Sequence, residues 1–260
     1  ALAAAGVAPE ELDIIILGTS SPDRNYPSDA CSVQAAIGAV NAVAFDISAA
    51  CAGFIFAMNI VEGFFKAGIY KTALIIGAET LSKVTDWSDR GTCVLFGDGA
   101  GAAVLKAEET GIIDMMMGAD GTKGDVLACT SRTVGNFLTG TKPELGFMTM
   151  DGQEVFKFAV RKVPESVMEL LQRTGTKKED IKYYVLHQAN ERIIEAAARR
   201  LKEPMEKFPM TIGQFGNTST ASIPLLLDDM IQKDMLKRGD KIIMSGFGAG
   251  MTWGAVLMEW

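Results

Sequence analysis

The chain has 260 residues, with 25 Lys and Arg against 32 Asp and Glu (net charge −7) and 48% hydrophobic residues. That hydrophobic share supplies a large core and excludes general disorder, while the length allows one large domain or two fused smaller ones. The acidic balance argues against nucleic acid as a partner, and no uninterrupted apolar run is long enough to predict a membrane span. In chain order, Ile14–Leu17 is an apolar run ending in Gly18, and a strand is expected to end near Asp46 with a helix starting near Cys51. Phe54–Lys66 has a helical pattern, Leu74–Ile76 ends in Gly77, and Ala102–Leu105 follows a glycine-rich turn at Gly97–Gly101. Helical patterns cover Glu154–Arg173, Glu191–Lys202 and Ile223–Lys237. Strands are expected at Tyr183–Leu186, ending at His187, at Ile242–Met244, followed by a glycine loop Gly246–Gly250, and at Ala255–Met258. Short apolar runs alternating with helices predict an α/β fold with strands buried on both faces.

The chain also repeats itself. Ala5–Leu17 and Thr174–Leu186 each run from a helix end through a glycine and a charged turn into an apolar strand, with Gly6 and Gly175 169 positions apart (175 − 6). A strand-then-helix passage recurs around Cys51 and Asn217 (217 − 51 = 166), and Leu74–Ile76 recurs as Ile242–Met244 (242 − 74 = 168). Near-constant offsets predict two fused copies of one α/β unit, residues 1–110 and 111–260, the first lacking its opening strand and helix.

Several catalytic classes are excluded. There is one histidine, no CxxC pair, no Gly-Lys dipeptide and no serine in GxSxG, so zinc-protease, zinc-ribbon, P-loop and α/β-hydrolase readings fail, and no metal is expected. Cys31, Cys51, Cys93 and Cys129 read as reduced thiols of a cytoplasmic protein rather than a disulfide framework. Cys51 stands apart because it is expected at a helix N-terminus, among small neighbours Ala49, Ala50, Ala52 and Gly53. The dipole there favours a thiolate, with a pKa drawn into roughly the 3.5–7.5 range; the competing reading is a small buried hydrophobe. His187 is expected at the carboxyl end of a strand, where α/β sheets form their ligand crevice, although a lone histidine is also commonly structural. Asn217, equivalent to Cys51 in the repeat, would face it across a pseudo-two-fold axis, or else simply cap a helix. Cys, His and Asn around one pocket suit acyl transfer through a thioester. The glycine loop could supply one oxyanion donor and the Cys51 N–H another. Arg192, Arg199 and Arg200, with Lys157, Arg161 and Lys162, form a basic face on an acidic chain that fits an acidic partner, or a solvated helix face.

These residues lie in motifs. Asp46–Phe54, Thr85–Thr92, Phe96–Val104, His187–Asn190, Gly216–Ser219 and Gly250–Gly254, in this order, resemble the 3-oxoacyl-[acyl-carrier-protein] synthase III family, and the resemblance covers essentially the whole chain. It implies a thiolase-like fold, two duplicated α/β halves in a five-layer αβαβα arrangement, with the N-terminal half incomplete, and a homodimer. It implies decarboxylative condensation of a short acyl-CoA, acetyl or branched, with malonyl-acyl carrier protein, by a ping-pong route through acyl-Cys51. His187 and Asn217 would assist decarboxylation, and the backbone N–H groups of Cys51 and Ala249 would hold the thioester oxygen. Arg90, Met150, Gly152, Phe156, Ala189, Asn190 and Arg192 match positions lining the coenzyme A tunnel. Lys157, Arg192, Arg199 and Arg200 match the carrier-docking face, and Tyr26 a position reaching the partner subunit's acyl pocket. Coenzyme A enters as a thioester substrate; no cofactor is implied. Ala249 stands where many relatives carry glycine, which is compatible if its backbone angles are ordinary. The resemblance also implies a segment ahead of Ala1 that supplies a central strand and grips the adenine end of coenzyme A, so a chain starting at Ala1 would fold or bind coenzyme A less well. Related condensations remain open: polyketide priming, a hydroxymethylglutaryl-CoA-synthase-like reaction with Glu79 as its added carboxylate, or a non-catalytic carrier-binding partner.

Overall fold

A computed structural model describes residues 1–260. The first part of the chain runs α1 (Leu2–Ala5), β1 (Ile14–Gly18), α2 (Asp29–Ile37), β2 (Val43–Ile47), α3 (Gly53–Lys66), β3 (Thr72–Glu79) and β4 (Gly99–Lys106). There follow β5 (Ile112–Ala119), β6 (Leu127–Cys129), β7 (Met148–Met150), α4 (Gly152–Thr174), β8 (Ile181–Leu186) and α5 (Glu191–Leu201). The chain closes with α6 (Ile212–Phe215), α7 (Ser222–Gln232), β9 (Lys241–Gly248) and β10 (Thr252–Glu259). One sheet has the order β2-β1-β3-β4 and the other β5-β10-β9-β8, with β6 and β7 as a small separate ribbon. The pairs β1–β3 and β8–β9 are parallel, with β8 at the edge of its sheet, while β4 and β10 run antiparallel to β3 and β9.

The period-two alternation of buried side chains builds five layers. Ile15 and Leu17 of β1 pack with Ala30 of α2, whereas Ile14 and Ile16 pack with Phe54 and Ile55 of α3 and Leu226 of α7. In the second sheet, Val185, Ile242, Met244 and Val256 face those same central helices. Tyr184, Leu186, Ile243, Ala255 and Leu257 face α4 and α5 instead. The order is therefore α2, sheet, α3 with α7, sheet, α4 with α5. Apolar runs such as Ile14–Leu17 are continuous because both of their faces are covered.

The two halves interlock through glycines. A Cβ on Gly77 would lie 2.4 Å from the Thr220 carbonyl oxygen; on Gly246, 169 positions later, it would lie 3.3 Å from that of Cys51. Likewise Gly101 abuts Pro224, and Gly254 abuts Ile55. Each contact has its counterpart in the other half, as a two-fold axis between the copies requires.

Three expectations need correction. The glycines of Gly97–Gly101 and Gly246–Gly250 are not all turn: Gly99 opens β4, and β9 continues through Gly248. These strands use glycine because the opposite half packs directly on their backbone. The helix expected to Lys237 stops at Gln232, before Asp234 at φ 54°. Finally, the element preceding α7 is the short helix α6 rather than a strand, and the equivalent of Cys51 is not Asn217. The 3₁₀ turns Ala50–Ala52 and Ser219–Ala221 correspond, and each opens on a left-handed residue, Ala50 (φ 46°) and Ser219 (φ 50°). The true offset is again 169, which pairs Cys51 with Thr220.

Candidate active site

Cys51 sits in the middle of the 3₁₀ turn that leads into α3, at the seam between the halves. Small neighbours and the glycine strand β9 let the turn close: a Cβ on Gly248 would be 2.5 Å from the Cys51 nitrogen. Thr252 Oγ1 lies 3.0 Å from the Ala49 carbonyl and 3.1 Å from that of Ala249, joining the loop before Cys51 to the turn after β9. Ala249 has no positive φ; the left-handed angle falls on Gly250 (φ 134°), so alanine is accommodated.

The partner turn brings the other groups. Asn217 is 6% exposed, and its Oδ1 accepts from the Ser219 N–H at 2.9 Å, which leaves the amide nitrogen to offer a ligand. Asn217 is thus adjacent to the Cys51 turn without being its repeat equivalent. Thr220 Oγ1 lies 2.8 Å from the Ala50 carbonyl oxygen, bonding one turn to the other. His187 follows β8; its N–H donates to the Ser245 carbonyl at 2.8 Å, its Nδ1 lies 2.6 Å from Ser222 Oγ, and Phe247 packs against its ring edge-to-face at 5.4 Å. Its Nε2 is buried without a protein partner.

Glu79, at the end of β3, ties the seam together and is 4% exposed. One oxygen accepts from Ser219 Oγ at 2.9 Å and lies 2.9 Å from Thr220 Oγ1, whose single proton is shared between this carboxylate and the Ala50 carbonyl. The other accepts from Thr19 Oγ1 (3.3 Å), Ser20 N–H (3.0 Å) and Ser21 Oγ (2.6 Å). Both oxygens are saturated by donors, so the carboxylate has no free face for an added acid–base role.

The electrostatics correct one expectation. Burial pushes the Cys51 thiol up to about 12, with the Glu79 charge adding in the same direction and a Ser219 hydrogen bond opposing. Burial likewise pushes the His187 imidazolium down to about 3. The resting pair is a neutral thiol and a neutral imidazole. The helix N-terminus favours a thiolate, as the sequence implies, but desolvation of a thiol with no cation beside it outweighs that field.

The remaining positions spread outward. Met150 and Gly152 line a cavity of about 720 Å³ together with Asp89, Gly91 and Thr92, on either side of Arg90. Arg90 and Phe156 are exposed and Ala189 half-buried, while Asn190 caps α5 by accepting from the Arg192 N–H at 2.9 Å. A second cavity, about 860 Å³, lies by β4, the end of β10 and α1. Neither cavity is lined by Cys51, His187 or Asn217. On α4 and α5, Lys157 pairs with Glu154, Arg199 with Glu195 and Arg200 with Glu165, whereas Arg192 makes no ion pair. Tyr26 is 86% exposed. Sequence reasoning gave no role to Ser219, Thr220 and Ser222; the 169-position offset between Gly6 and Gly175, carried to Cys51, is the signal that points to Thr220 and its neighbours. No group of three or more His, Cys, Asp or Glu side chains could hold a metal ion, and no helix is long and apolar enough to cross a membrane.

Two interlocked α/β halves, with a buried cysteine at the start of one central helix, an asparagine just ahead of the other and a histidine hydrogen-bonded to that helix's first residue, define a thiolase-like condensing enzyme. The comparisons narrow this class. Residues 45–121 match the family model "3-Oxoacyl-[acyl-carrier-protein (ACP)] synthase III", and residues 171–260 match its C-terminal counterpart. The chain is 51% identical over 256 residues to the beta-ketoacyl-[acyl-carrier-protein] synthase III of Clostridium acetobutylicum, covering 98% of this chain and 79% of that one. It is 53% identical to the Clostridium novyi protein of the same name, over 96% of this chain and 78% of that one. The crystal structure of 3-oxoacyl-[acyl-carrier-protein] synthase III from Aquifex aeolicus superposes with a TM-score of 0.92 at 46% identity, covering all of this chain and 81% of that one. The priming β-ketosynthase of the R1128 polyketide pathway superposes at 0.90 with 35% identity, covering all of this chain and 78% of that one. The chain belongs to the beta-ketoacyl-[acyl-carrier-protein] synthase III family.

Proposed function

We propose that the chain catalyses the decarboxylative condensation of a short acyl-CoA with malonyl-acyl carrier protein, initiating fatty-acid synthesis, with Cys51, His187 and Asn217 as its catalytic groups. The observation that carries this reading is the pairing of the two turns: Ser219 and Thr220 bind the Asn217 side to the Cys51 side, and Ser222 binds His187 to the start of the same helix. The Cys51 sulfur attacks the acyl thioester, the carbonyl oxygen is held by the N–H groups of Cys51 and Ala249, and coenzyme A departs as the thiol with the proton that Cys51 gives up. The malonyl thioester then loses CO2. The electron pair of the broken C–C bond moves onto its thioester carbonyl, stabilised by His187 and Asn217, and the resulting carbon attacks acyl-Cys51. A new C–C bond forms as the C–S bond to Cys51 breaks, and the departing Cys51 thiolate takes up a proton from solvent to restore the thiol.

Arg90, Met150, Gly152, Phe156, Ala189, Asn190 and Arg192 are read as the coenzyme A and pantetheine path, supported by the 720 Å³ cavity that Met150 and Gly152 share. Lys157, Arg192, Arg199 and Arg200 are read as the docking face for the acidic carrier. Residues 1–110 and 111–260 are read as the two copies, supported by the reciprocal glycine contacts. A cytoplasmic homodimer fits the family, and the exposed Tyr26, Val134, Phe137 and Leu138 give it apolar surface to cover. The reaction draws on no metal or resident cofactor.

Polyketide priming is the second reading, favoured by the likeness to the R1128 priming enzyme. The hydroxymethylglutaryl-type reading is disfavoured by the saturated Glu79 carboxylate. The test is to supply acetyl-CoA or isobutyryl-CoA with malonyl-carrier protein from a fatty-acid system, from a polyketide system, or with acetoacetyl-CoA instead. A 3-oxoacyl product on the fatty-acid carrier is expected. Product only with the polyketide carrier, or only from acetoacetyl-CoA, would replace this reading.

A further inference from the structure

Ser222, the first residue of α7, is 2% exposed. Its hydroxyl has two partners: it lies 2.6 Å from His187 Nδ1, and it accepts from the Gln188 N–H at 3.3 Å. A hydroxyl carries one proton, which needs an acceptor, and a neutral imidazole carries its proton on one nitrogen only. If that proton were on Nδ1, it would donate to Ser222 Oγ, which already accepts from Gln188. The serine's own proton would then be stranded in a buried site with nothing to receive it, a costly arrangement. If the proton is on Nε2, Nδ1 accepts from the Ser222 hydroxyl and every group on this side is satisfied. The ring cannot easily turn away, because Phe247 packs on it and its backbone is pinned to Ser245. Burial, which keeps the imidazole uncharged, is consistent with a single neutral tautomer.

We propose that Ser222 is a positioning residue that fixes His187 as the Nε2–H tautomer, so that the imidazole meets the substrate as a hydrogen-bond donor and not as the base for the Cys51 thiol. The tautomer follows from hydrogen-bond accounting alone; only its use toward a malonyl thioester rests on the function proposed above. It also accounts for the one buried imidazole nitrogen left without a protein partner, since Nε2–H is the group a substrate oxygen would satisfy.

The chain contains a single histidine, so protein labelled with ¹⁵N in histidine alone gives one imidazole spin system. Two-bond ¹H–¹⁵N correlations on the substrate-free protein near neutral pH report which nitrogen is protonated. A protonated Nε2 with an unprotonated Nδ1 is expected, and a proton on Nδ1 overturns the proposal. In Ser222→Ala the pure Nε2–H pattern should be lost, with condensation slowed at least tenfold and Cys51 acylation changed less than twofold. Ser222→Thr, which keeps the hydroxyl, should restore both. An unchanged tautomer in Ser222→Ala overturns the role of Ser222; if that variant does not fold, the spectra of the parent protein and Ser222→Thr decide. The spectrum needs no turnover, so a wrong tautomer and an absent condensing activity are seen separately.

Discussion

At the scale of single residues, the site is governed by burial. His187 is uncharged in the folded chain and ordinary when unfolded, so acidification from about pH 6.5 toward 3 protonates only the unfolded state and drains stability. By pH 5 this amounts to about 2 kcal/mol. His187→Gln, which cannot titrate, should flatten the pH dependence of the urea midpoint between pH 6.5 and 5, above the range where carboxylates take over. A slope as steep as the parent's would show that His187 titrates normally in the fold. Glu79 makes a second residue-scale prediction. Glu79→Gln turns an amide NH2 toward hydroxyl donors that a carboxylate satisfied, so it should cost on the order of 3 kcal/mol of unfolding free energy. Loss of less than about 0.5 kcal/mol, the scatter of ordinary surface changes, would mean that this hydrogen-bond cluster does not hold in solution.

At the scale of elements, the Cys51 turn exists because strand β9 offers bare backbone beside it. Gly248→Ala would set a Cβ 2.5 Å from the Cys51 nitrogen and 3.0 Å from the Ala50 Cβ. The turn must move, and a displacement near 1 Å at the reacting centre costs about a hundredfold in rate. Cys51 acylation measured by rapid quench should fall by that order while the thermal transition stays cooperative; an unaltered rate would show that the bare Gly248 backbone does not set the Cys51 turn. The same contacts explain what the sequence made legible. Ile14–Leu17 and Tyr183–Leu186 announce themselves as strands because both faces are buried, and Cys51 and His187 are visible as groups at element ends. Gly99, Gly246 and Gly248 read as turn residues because the reason for each glycine is an element more than a hundred positions away. The recurring strand-then-helix passage pairs Asn217 with Cys51 at an offset of 166, whereas the true register is marked by the left-handed angles of Ala50 and Ser219, which no composition reveals. The helix field on Cys51 was legible; the desolvation that outweighs it was not, since it depends on what packs from the other half.

At the scale of the molecule, two copies of one unit enclose a seam, and the proposed catalytic groups lie on that seam. The donors to Glu79 come from residues 19–21 and 219–220, so neither half alone could build the site. The outer layer meets the partners. Arg199, exposed on α5 and paired only with Glu195, belongs to the proposed carrier face. Arg199→Glu should raise KM for malonyl-carrier protein several-fold, more than KM for acyl-CoA, with the gap narrowing in high salt. Equal effects on both substrates, independent of salt, would remove α5 from the docking surface. In the proposed reaction Cys51 carries the acyl group between two half-reactions. Its most direct test is intact-protein mass spectrometry after brief exposure to acetyl-CoA or isobutyryl-CoA, followed by addition of malonyl-carrier protein, with Cys51→Ala as the control. One acyl adduct that requires Cys51 and is discharged by the malonyl carrier is expected; an adduct that persists in Cys51→Ala, or none in folded protein, would rule out an acyl-Cys51 intermediate.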